Sequence, residues 1–106
     1  RGLPDGMTID REGMLWIALW GGGAVARYDP VSGSCISTIH VPASNVTSCT
    51  FGGSDLQDLY ITTARVGLND EELSDQPLAG GVFVARKIGV AGVLPIKFAG
   101  GIRSRC

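Results

Sequence analysis

Residues 14–30 read MLWIALWGGGAVARYDP and decide the fold, because two short apolar runs flank a glycine triplet. The first run predicts a strand over Met14–Leu19 and the second a strand over Ala24–Asp29. Runs of this length, rich in β-branched and aromatic residues and bounded by glycine, are typical of strands. No long segment of the chain has the apolar spacing of a helix. The sequence therefore predicts an all-β chain.

The same pattern continues on both sides of this stretch. Further strands are predicted at Met7–Asp10, Cys35–His40, Ser48–Gly52, Leu59–Ala64, Gly81–Arg86 and Leu94–Phe98. Asp, Pro and Gly residues at 10–13 and 29–33 favour tight turns between neighbouring strands. The more polar segment Val66–Ala79 predicts a loop with one helical turn at Asp70–Leu73.

Two parts of the chain repeat one pattern. Ile9 ahead of Leu15-Trp16-Ile17-Ala18 corresponds to Phe51 ahead of Leu59-Tyr60-Ile61-Thr62, and Trp16 precedes Tyr60 by 44 positions. That period suits the four short strands of a propeller blade. We expect blade-like repeats over about 3–44 and 45–100, an atypical tail at 101–106, and Trp16 and Tyr60 in the packing between blades.

Two blades alone would leave apolar faces and strand edges open. Repeat architectures need about three units for stability. We therefore expect the rest of a ring to come from further sequence or from other chains.

Composition and charge narrow the classes of partner. The 106 residues suffice for one small domain, and the net charge is −1 with Lys and Arg scattered along the chain. Nucleic acid and anionic membranes are therefore not expected as partners. The longest relevant uncharged stretch, Met14–Ala26, is shorter than the roughly 20 apolar residues of a bilayer crossing.

Cysteine usage indicates the compartment. Cys35, Cys49 and Cys106 are odd in number and lack metal-type spacing, which favours free buried thiols in a reducing compartment, the cytoplasm. No signal peptide is visible at the start of the sequence. Asn45-Val46-Thr47 is a glycosylation sequon, which matters only in a secretory protein.

An ordered series of motifs resembles the regucalcin (senescence marker protein)/gluconolactonase family. The motifs are Pro4-Asp5-Gly6-Met7-Thr8-Ile9-Asp10, Glu12-Gly13, Leu15-Trp16-Ile17-Ala18, Gly22-Gly23, Arg27-Tyr28-Asp29-Pro30, Thr47-Ser48-Cys49-Thr50-Phe51-Gly52-Gly53, Leu59-Tyr60-Ile61-Thr62-Thr63-Ala64 and Gln76-Pro77-Leu78-Ala79-Gly80-Gly81-Val82-Phe83. They cover roughly Leu3 to Gly100. The resemblance implies a six-bladed β-propeller, of which this chain holds about the last two blades.

The resemblance also implies a divalent cation on the propeller axis. In the family a Glu from the first blade, an Asn from the middle and the Asp of the PDG motif hold it. Only the last carries over, to Asp5, which becomes the expected metal ligand and catalytic residue. Ca²⁺ is expected first, with Zn²⁺, Mn²⁺ or Mg²⁺ as substitutes. The alternative role of Asp5 is a carboxylate that caps the Pro-Asp-Gly turn.

Three further residues are candidates for a substrate pocket, each with a structural alternative. Trp20 either lines the pocket near Asp5 or covers the end of its blade. Thr47 occupies the position in the second repeat that Asp5 occupies in the first, and strand-end hydrogen bonding is its alternative use. Arg65 either anchors a sugar or, as we expect first, pairs with Asp70 or Glu71.

Four other polar or reactive residues are predicted to be structural. Asp10 and Asp29 are expected in hairpin turns. His40, the only histidine, has no triad partners around it and is expected at the surface. Cys49 is expected as a small buried apolar residue of an inner strand.

The family resemblance implies metal-assisted hydrolysis of sugar lactones such as gluconolactone. Two alternatives stay open at this point. One is organophosphate or arylester hydrolysis on the same type of propeller. The other is a calcium-binding propeller, or a truncated product, without turnover. Because one carboxylate does not hold a cation, the isolated chain is expected to be inactive and to need the rest of the propeller.

Overall fold

Two antiparallel sheets follow one another in the computed structural model, which describes residues 1–101. The first sheet contains, in chain order, β1 (Leu3–Ile9), β2 (Leu15–Trp20), β3 (Ala24–Tyr28) and β4 (Cys35–His40). The second contains β5 (Val46–Gly52), β6 (Asp58–Thr63) and β7 (Val82–Ala85), with the helix α1 (Asp70–Asp75) between β6 and β7. The predicted all-β class is confirmed. Of the predicted tail at 101–106, all but Gly101 lies outside the described residues, as does Cys106.

Aspartates form the first and third turns of the first sheet, as predicted. The Asp10 carboxylate accepts hydrogen bonds from the backbone N–H groups of Glu12 (2.9 Å) and Met14 (3.1 Å). Asp29 accepts one from the N–H of Val31 at 2.8 Å. Such bonds let an Asp side chain stand in for backbone partners within a turn, which fixes the two hairpins locally.

The hydrophobic core lies between the two sheets. Alternate residues of a strand point to opposite faces, and one face of each sheet is apolar at those positions. The core of the described residues comprises Trp16, Ala18, Val25, Val41, Ala43, Val46, Cys49, Phe51, Leu59, Ile61 and Ala79. The Trp16 and Phe51 rings meet edge to face with centroids 5.9 Å apart. This contact joins β2 of the first sheet to β5 of the second.

Tyr60 does not belong to this core, and its predicted place in the packing between blades stays a prediction, because no further sheet lies beside its face within residues 1–101. Trp16 is 3% exposed, whereas Tyr60 is 37% exposed. The reason is strand alternation: Leu59 and Ile61 point toward the first sheet, which turns Tyr60 to the opposite face. Within residues 1–101 no third sheet covers that face.

The strand predicted at Leu94–Phe98 is wrong. After β7 the chain turns back across the sheets, where the N–H of Gly92 donates to Leu56 O (2.8 Å) and that of Arg11 to Ala91 O (2.9 Å). These bonds lead the backbone away from the open edge of β7. Leu94 and Phe98 consequently pair with no strand of the described chain and are exposed.

The predicted loop with a helical turn is confirmed between β6 and β7. Asn69 caps α1: its side chain accepts from the N–H of Glu72, whose carboxylate accepts from the N–H of Asn69. After the helix, the Gln76 side chain accepts from both the N–H (2.8 Å) and the hydroxyl (3.1 Å) of Ser44. The insertion is thereby tied to the segment that joins the two sheets.

The two described cysteine thiols differ in their exposure to solvent. Cys49 is buried as predicted, whereas Cys35 is exposed on β4, so the expectation of a buried thiol is wrong there. Neither is in a disulfide. His40 is exposed, as predicted. In the described part of the chain, no helix has the length and apolarity to cross a membrane.

Candidate functional site

Asp5 lies in a β-bulge of β1, an edge strand of the first sheet. Pro4 pairs with Leu19 and Met7 with Ile17, so β1 carries one residue more than β2 between these pairs. A bulge re-aims the side chains at the point of insertion and is frequent beside functional sites. The Asp5 side chain is exposed.

The second sheet has a bulge at the equivalent place. Val46 pairs with Thr63 and Ser48 with Thr62, which leaves Thr47 as the extra residue of β5. The two bulges lie side by side, because β1 packs along β5. A Cβ on Gly6 would collide with the Ser48 side chain and lie 2.8 Å from the Thr47 carbonyl oxygen. Only glycine fits next to Asp5, and Asp5 and Thr47 consequently lie at the same end of the two strands.

The Asp5 carboxylate differs from the two turn aspartates in its hydrogen bonds. Asp10 and Asp29 accept bonds from backbone N–H groups. Among residues 1–101, the Asp5 side chain forms neither a hydrogen bond nor an ion pair, so its oxygens do not cap the Pro-Asp-Gly turn. A solvent-facing carboxylate with both oxygens available is the donor type that hard divalent cations take.

The number of donors does not match a complete metal site. Nowhere in residues 1–101 do three or more His, Cys, Asp or Glu side chains group in a way that could hold a metal ion. Ca²⁺ takes about 6–8 oxygen ligands, and Asp5 supplies at most two. Residues 1–101 therefore offer, at Asp5, one carboxylate of the type that binds divalent cations, but not a complete set of ligands.

Thr47 and its neighbour across the strand form a hydroxyl pair beside Asp5. The Thr47 and Thr62 hydroxyl oxygens are 2.7 Å apart, and either hydroxyl can donate. The Thr62 hydroxyl also lies 3.4 Å from the Ser48 carbonyl oxygen. Each hydroxyl keeps a lone pair for a further partner, so the strand-end bond and a pocket role are compatible.

Trp20 lies at the same end of the first sheet. It pairs with Leu3 of β1, and an isolated bridge joins it to Asn45 just ahead of β5. The indole side chain is half-buried. Asn45 itself is 5% exposed, and its amide donates to the Val66 carbonyl at 3.0 Å. The asparagine of the sequon is therefore not accessible to a glycan in the folded chain.

Arg65 does not form its predicted ion pair. The ion pairs of residues 1–101 include none to Asp70 or Glu71. Arg65 instead lies along Gly80, where an added Cβ would be 2.9 Å from its Cγ. The guanidinium is exposed on the side of the second sheet from which the insertion departs.

A buried polar cluster in the first sheet was not anticipated. Besides its turn bonds, Asp10 accepts from the Trp16 indole N–H and from Arg27 Nε, both at 2.8 Å. Burial by itself raises the pKa of Asp10, but the bonds from Arg27, Trp16 and the turn outweigh it and hold that pKa below its usual range. Arg27 also reaches Glu12 at 2.7 Å.

This cluster is structural. The carboxylate is fully enclosed, so no substrate reaches it. The sequence signal that could have found the cluster is the cross-strand neighbourhood of Trp16 and Arg27, next to an Asp that a turn brings onto the same face.

Comparison with known proteins relates the chain to one group. The family model described as SMP-30/Gluconolactonase/LRE-like region matches residues 1–65. Regucalcin of Danio rerio is 48% identical over 99 residues, which are 93% of this chain and 34% of regucalcin. The putative sugar lactone lactonase YvrE of Bacillus subtilis is 52% identical over 101 residues, 95% of this chain and 34% of the lactonase.

A solved structure agrees with this relationship. The calcium-binding protein regucalcin of Agrobacterium tumefaciens superposes with a TM-score of 0.80 at 39% identity, covering 88% of this chain and 31% of that protein. The chain thus spans about one third of the length of the relatives it matches.

Proposed function

Since the chain belongs to the SMP-30/gluconolactonase/LRE-like family, we propose that it contributes the Asp5 ligand to a divalent-metal-dependent hydrolase of sugar lactones. The observation that carries this proposal is the exposed Asp5 carboxylate at a bulge, unpaired within residues 1–101. A turn aspartate such as Asp29 bonds to the backbone, whereas Asp5 leaves its oxygens for a ligand. The two sheets are two blades of a β-propeller, and the remaining ligands and pocket walls come from its other blades.

Names of relatives support both halves of the proposal. The Bacillus subtilis relative is a putative sugar lactone lactonase, and the Agrobacterium tumefaciens relative is a calcium-binding protein. Ca²⁺ is the first choice of cation because it accepts carboxylate oxygens in flexible geometry, and Mg²⁺, Mn²⁺ or Zn²⁺ can take the same donor. When bound, such a cation supplies Lewis-acid polarisation of the lactone carbonyl.

In this proposal the Asp5 carboxylate also acts first as general base and then as general acid. Water adds to the lactone carbonyl carbon, and the Asp5 carboxylate takes the proton that this water loses. When the ring C–O bond breaks, Asp5 returns the proton to the ring oxygen, which leaves as a hydroxyl group of the open acid. A positioned carboxylate acting in this way typically contributes about 10²–10⁴-fold to the rate.

Trp20, Thr47 and Arg65 are proposed to bind the sugar around Asp5. A half-buried indole offers an apolar wall for a sugar ring. The Thr47 hydroxyl, already paired with Thr62 at 2.7 Å, can accept from or donate to a substrate hydroxyl. The exposed Arg65 guanidinium can hold the carboxylate that hydrolysis produces.

The proposed compartment is the cytoplasm. Cys35 and Cys49 are free thiols, which is the usual state of cysteines in a reducing compartment. The buried Asn45 side chain removes the one sequence feature that favoured a secretory route.

A chimera tests the proposal without requiring the isolated chain to be active. This chain replaces the matching third of the Bacillus subtilis relative, with which it is 52% identical. We expect gluconolactone hydrolysis that EDTA abolishes and Ca²⁺ restores. Asp5→Asn should lower kcat/KM about 100-fold or more, while the turn variant Asp29→Asn leaves it unchanged.

Two outcomes contradict the proposal differently. Full activity in the Asp5→Asn chimera would remove Asp5 from the site. Ca²⁺ binding that depends on Asp5, in a folded chimera without hydrolysis of any sugar lactone, would indicate a calcium-binding propeller without turnover.

A further inference from the structure

Asn45 is a buried polar residue at the joint between the two sheets. It directly precedes β5, two residues before Thr47, and is 5% exposed. An isolated bridge joins it to Trp20, the last residue of β2. Buried polar side chains are almost always hydrogen-bonded, and the partners of Asn45 show which part of the candidate site it supports.

The two neighbours of Arg65 in the sequence are both bonded to Asn45. The N–H of Ala64 donates to the Asn45 backbone carbonyl at 2.9 Å, and the Asn45 side-chain amide donates to the Val66 carbonyl at 3.0 Å. Packing does not fix this segment, since the Val66 side chain is 69% exposed. The backbone of Arg65 is therefore held on both sides by one buried residue.

A tight turn follows directly after these bonds. The N–H of Leu68 donates to the Arg65 carbonyl at 3.1 Å. Gly67, the third residue of this turn, has a φ of 83°, a value that favours glycine at that position. Nothing lies within 4 Å of a Cβ added to Gly67. The backbone conformation, and not a lack of space, therefore requires glycine here.

The aliphatic part of the Arg65 side chain is restrained as well. A Cβ on Gly80 would lie 2.9 Å from the Arg65 Cγ and 3.1 Å from its Cδ. The N–H of Gly80 donates to the Thr63 hydroxyl at 3.0 Å, and this hydroxyl donates to the Gly81 carbonyl at 2.7 Å. The far end of the insertion is thereby fixed against the end of β6, and the Arg65 side chain lies along it.

The guanidinium of Arg65 stays available to a ligand in this arrangement. The same insertion contains the acidic residues Asp70, Glu71, Glu72 and Asp75. Even so, the ion pairs of residues 1–101 include none to Arg65. A guanidinium matches a carboxylate through two parallel hydrogen bonds. Binding costs less conformational entropy when the side chain that makes these bonds is already restrained.

We propose that Asn45 is a positioning residue, which holds Arg65 ready for the carboxylate of the open sugar acid that lactone hydrolysis produces. This inference rests on the function proposed above, because that function places Arg65 beside the sugar. It adds that the affinity for the sugar acid depends on a residue that acts through Arg65 and touches neither the acid nor the cation.

A double-mutant cycle on gluconate binding tests this coupling. Calorimetry on the Ca²⁺-loaded chimera measures the Kd without requiring turnover. Arg65→Ala should weaken binding about 10-fold, as expected for a lost charge-assisted hydrogen bond. Asn45→Ala keeps the backbone bond to Ala64, loses the bond to Val66 and should weaken binding about 3- to 10-fold. The double variant should bind no more weakly than Arg65→Ala alone, because Asn45 acts through Arg65.

Two further variants sharpen the cycle. Gly67→Ala loosens the Arg65 backbone from the other side, and its loss of affinity should likewise vanish in the Arg65→Ala background. Ser44→Ala is the matched control next to Asn45: it removes the hydroxyl bond to Gln76 at 3.1 Å, while the Ser44 N–H keeps its own bond at 2.8 Å. Its Kd for gluconate should be unchanged. Circular dichroism and Tm establish that each variant is folded.

The proposal is overturned if the losses from Asn45→Ala and Arg65→Ala multiply in the double variant, because Asn45 would then act without Arg65. It is overturned equally if Arg65→Ala binds gluconate as tightly as the unsubstituted chimera. Asn45→Ser keeps a polar group in the buried position and replaces Asn45→Ala in the cycle if the latter does not fold. A chimera that hydrolyses no sugar lactone but shows the coupled loss of affinity would remove the proposed hydrolysis and leave the positioning role intact.

Discussion

The two sheets use equivalent positions in opposite ways. In the first, Trp16 lies across from Arg27 and both meet the buried Asp10. In the second, Tyr60 lies across from Val84, and Gly52 occupies the position of Asp10. A Cβ on Gly52 would lie 2.7 Å from the Tyr60 ring. The absence of a side chain at Gly52 therefore allows the Tyr60 ring to pack against the backbone at this position. The first sheet thus has a charged, hydrogen-bonded cluster at positions where the second sheet has an uncharged one.

Burial accounts for the difference. The first cluster lies under the second sheet, where an unpaired polar group would be costly, and every buried side-chain nitrogen and oxygen of residues 1–101 has a hydrogen-bond partner. The second cluster lies on the face of the second sheet that points away from the first sheet. Polar groups in the interface between the two sheets thus require a complete set of hydrogen-bond partners. The uncharged residues of the outer face have no such requirement.

The largest effect is expected from Asp10→Ala. This substitution leaves the Trp16 indole N–H and the Arg27 guanidinium, whose side chain is 14% exposed, without their shared acceptor. Removing one partner of a buried ion pair costs roughly 3–5 kcal/mol. Chemical denaturation of the variant and the unmodified chain measures the difference in the free energy of unfolding.

Asp29→Ala is the matched control, because it removes a turn aspartate whose bonds go only to the backbone. Its effect should be much smaller. Equal losses in the two variants would mean that Asp10 acts as a turn residue alone, and the contrast between the two sheets would lose its energetic basis.

Thiol reactivity should show the same contrast between covered and open faces. Burial raises the pKa of the Cys49 thiol from 9.0 to about 11, which at a given pH lowers the thiolate fraction by about 100-fold. Cys35 is exposed. In a Cys106→Ser background, iodoacetamide should label Cys35 readily and Cys49 at least about 100-fold more slowly.

Unfolding the same protein in guanidinium provides the control for this labelling, since both thiols should then react at similar rates. Rapid labelling of Cys49 in the folded protein would show that the interface between the sheets opens.

Acid should remove the stability that the Asp10 carboxylate contributes to the first sheet. Because the pKa of Asp10 is held below its usual range in the folded chain, the unfolded chain takes up this proton first as pH falls. The stability due to Asp10 is complete above about pH 4, the ordinary pKa of aspartate. It is lost as pH drops through the lower pKa of the folded state.

Thermal unfolding measured from neutral pH down to strong acid tests this point. The Asp10→Asn variant should be less stable at neutral pH and should lose less of its Tm on acidification. A parallel loss in both proteins would assign the acid sensitivity to other carboxylates.

Most of the first sheet could be predicted from sequence, because its strands are short apolar runs between turn residues. The Cys35–His40 strand and both Asp turns follow from local patterns alone. The failed strand prediction is non-local. Leu94–Phe98 reads as a strand, but backbone bonds at Arg11 and Gly92 lead the chain away from the edge of β7. Whether an apolar run has a partner strand is not encoded within the run.

The candidate site shows the same division. The PDG motif identifies Asp5, but the bulge that re-aims it depends on a register between two strands. The bulge at Thr47 and the close approach of Gly6 to Ser48 depend on how two sheets pack. The predicted pair of Arg65 with the acidic insertion failed because charge and nearness in sequence do not fix the direction of a long side chain.

The smallest effect on stability is expected in the connection between β6 and β7, which is much longer than its counterpart in the first sheet. Gly21-Gly22-Gly23 joins β2 to β3, whereas residues 64–81 join β6 to β7 and contain α1. Asn69→Ala removes the helix cap, which typically costs about 1 kcal/mol. Because α1 buries none of its residues, the loss should appear as faster amide exchange in α1, with global unfolding almost unchanged. Glu71→Ala, in the same turn but outside the capping box, is the control. A loss of global stability in Asn69→Ala alone would mean that α1 supports the anchor from Gln76 to Ser44, and hence the joint between the sheets.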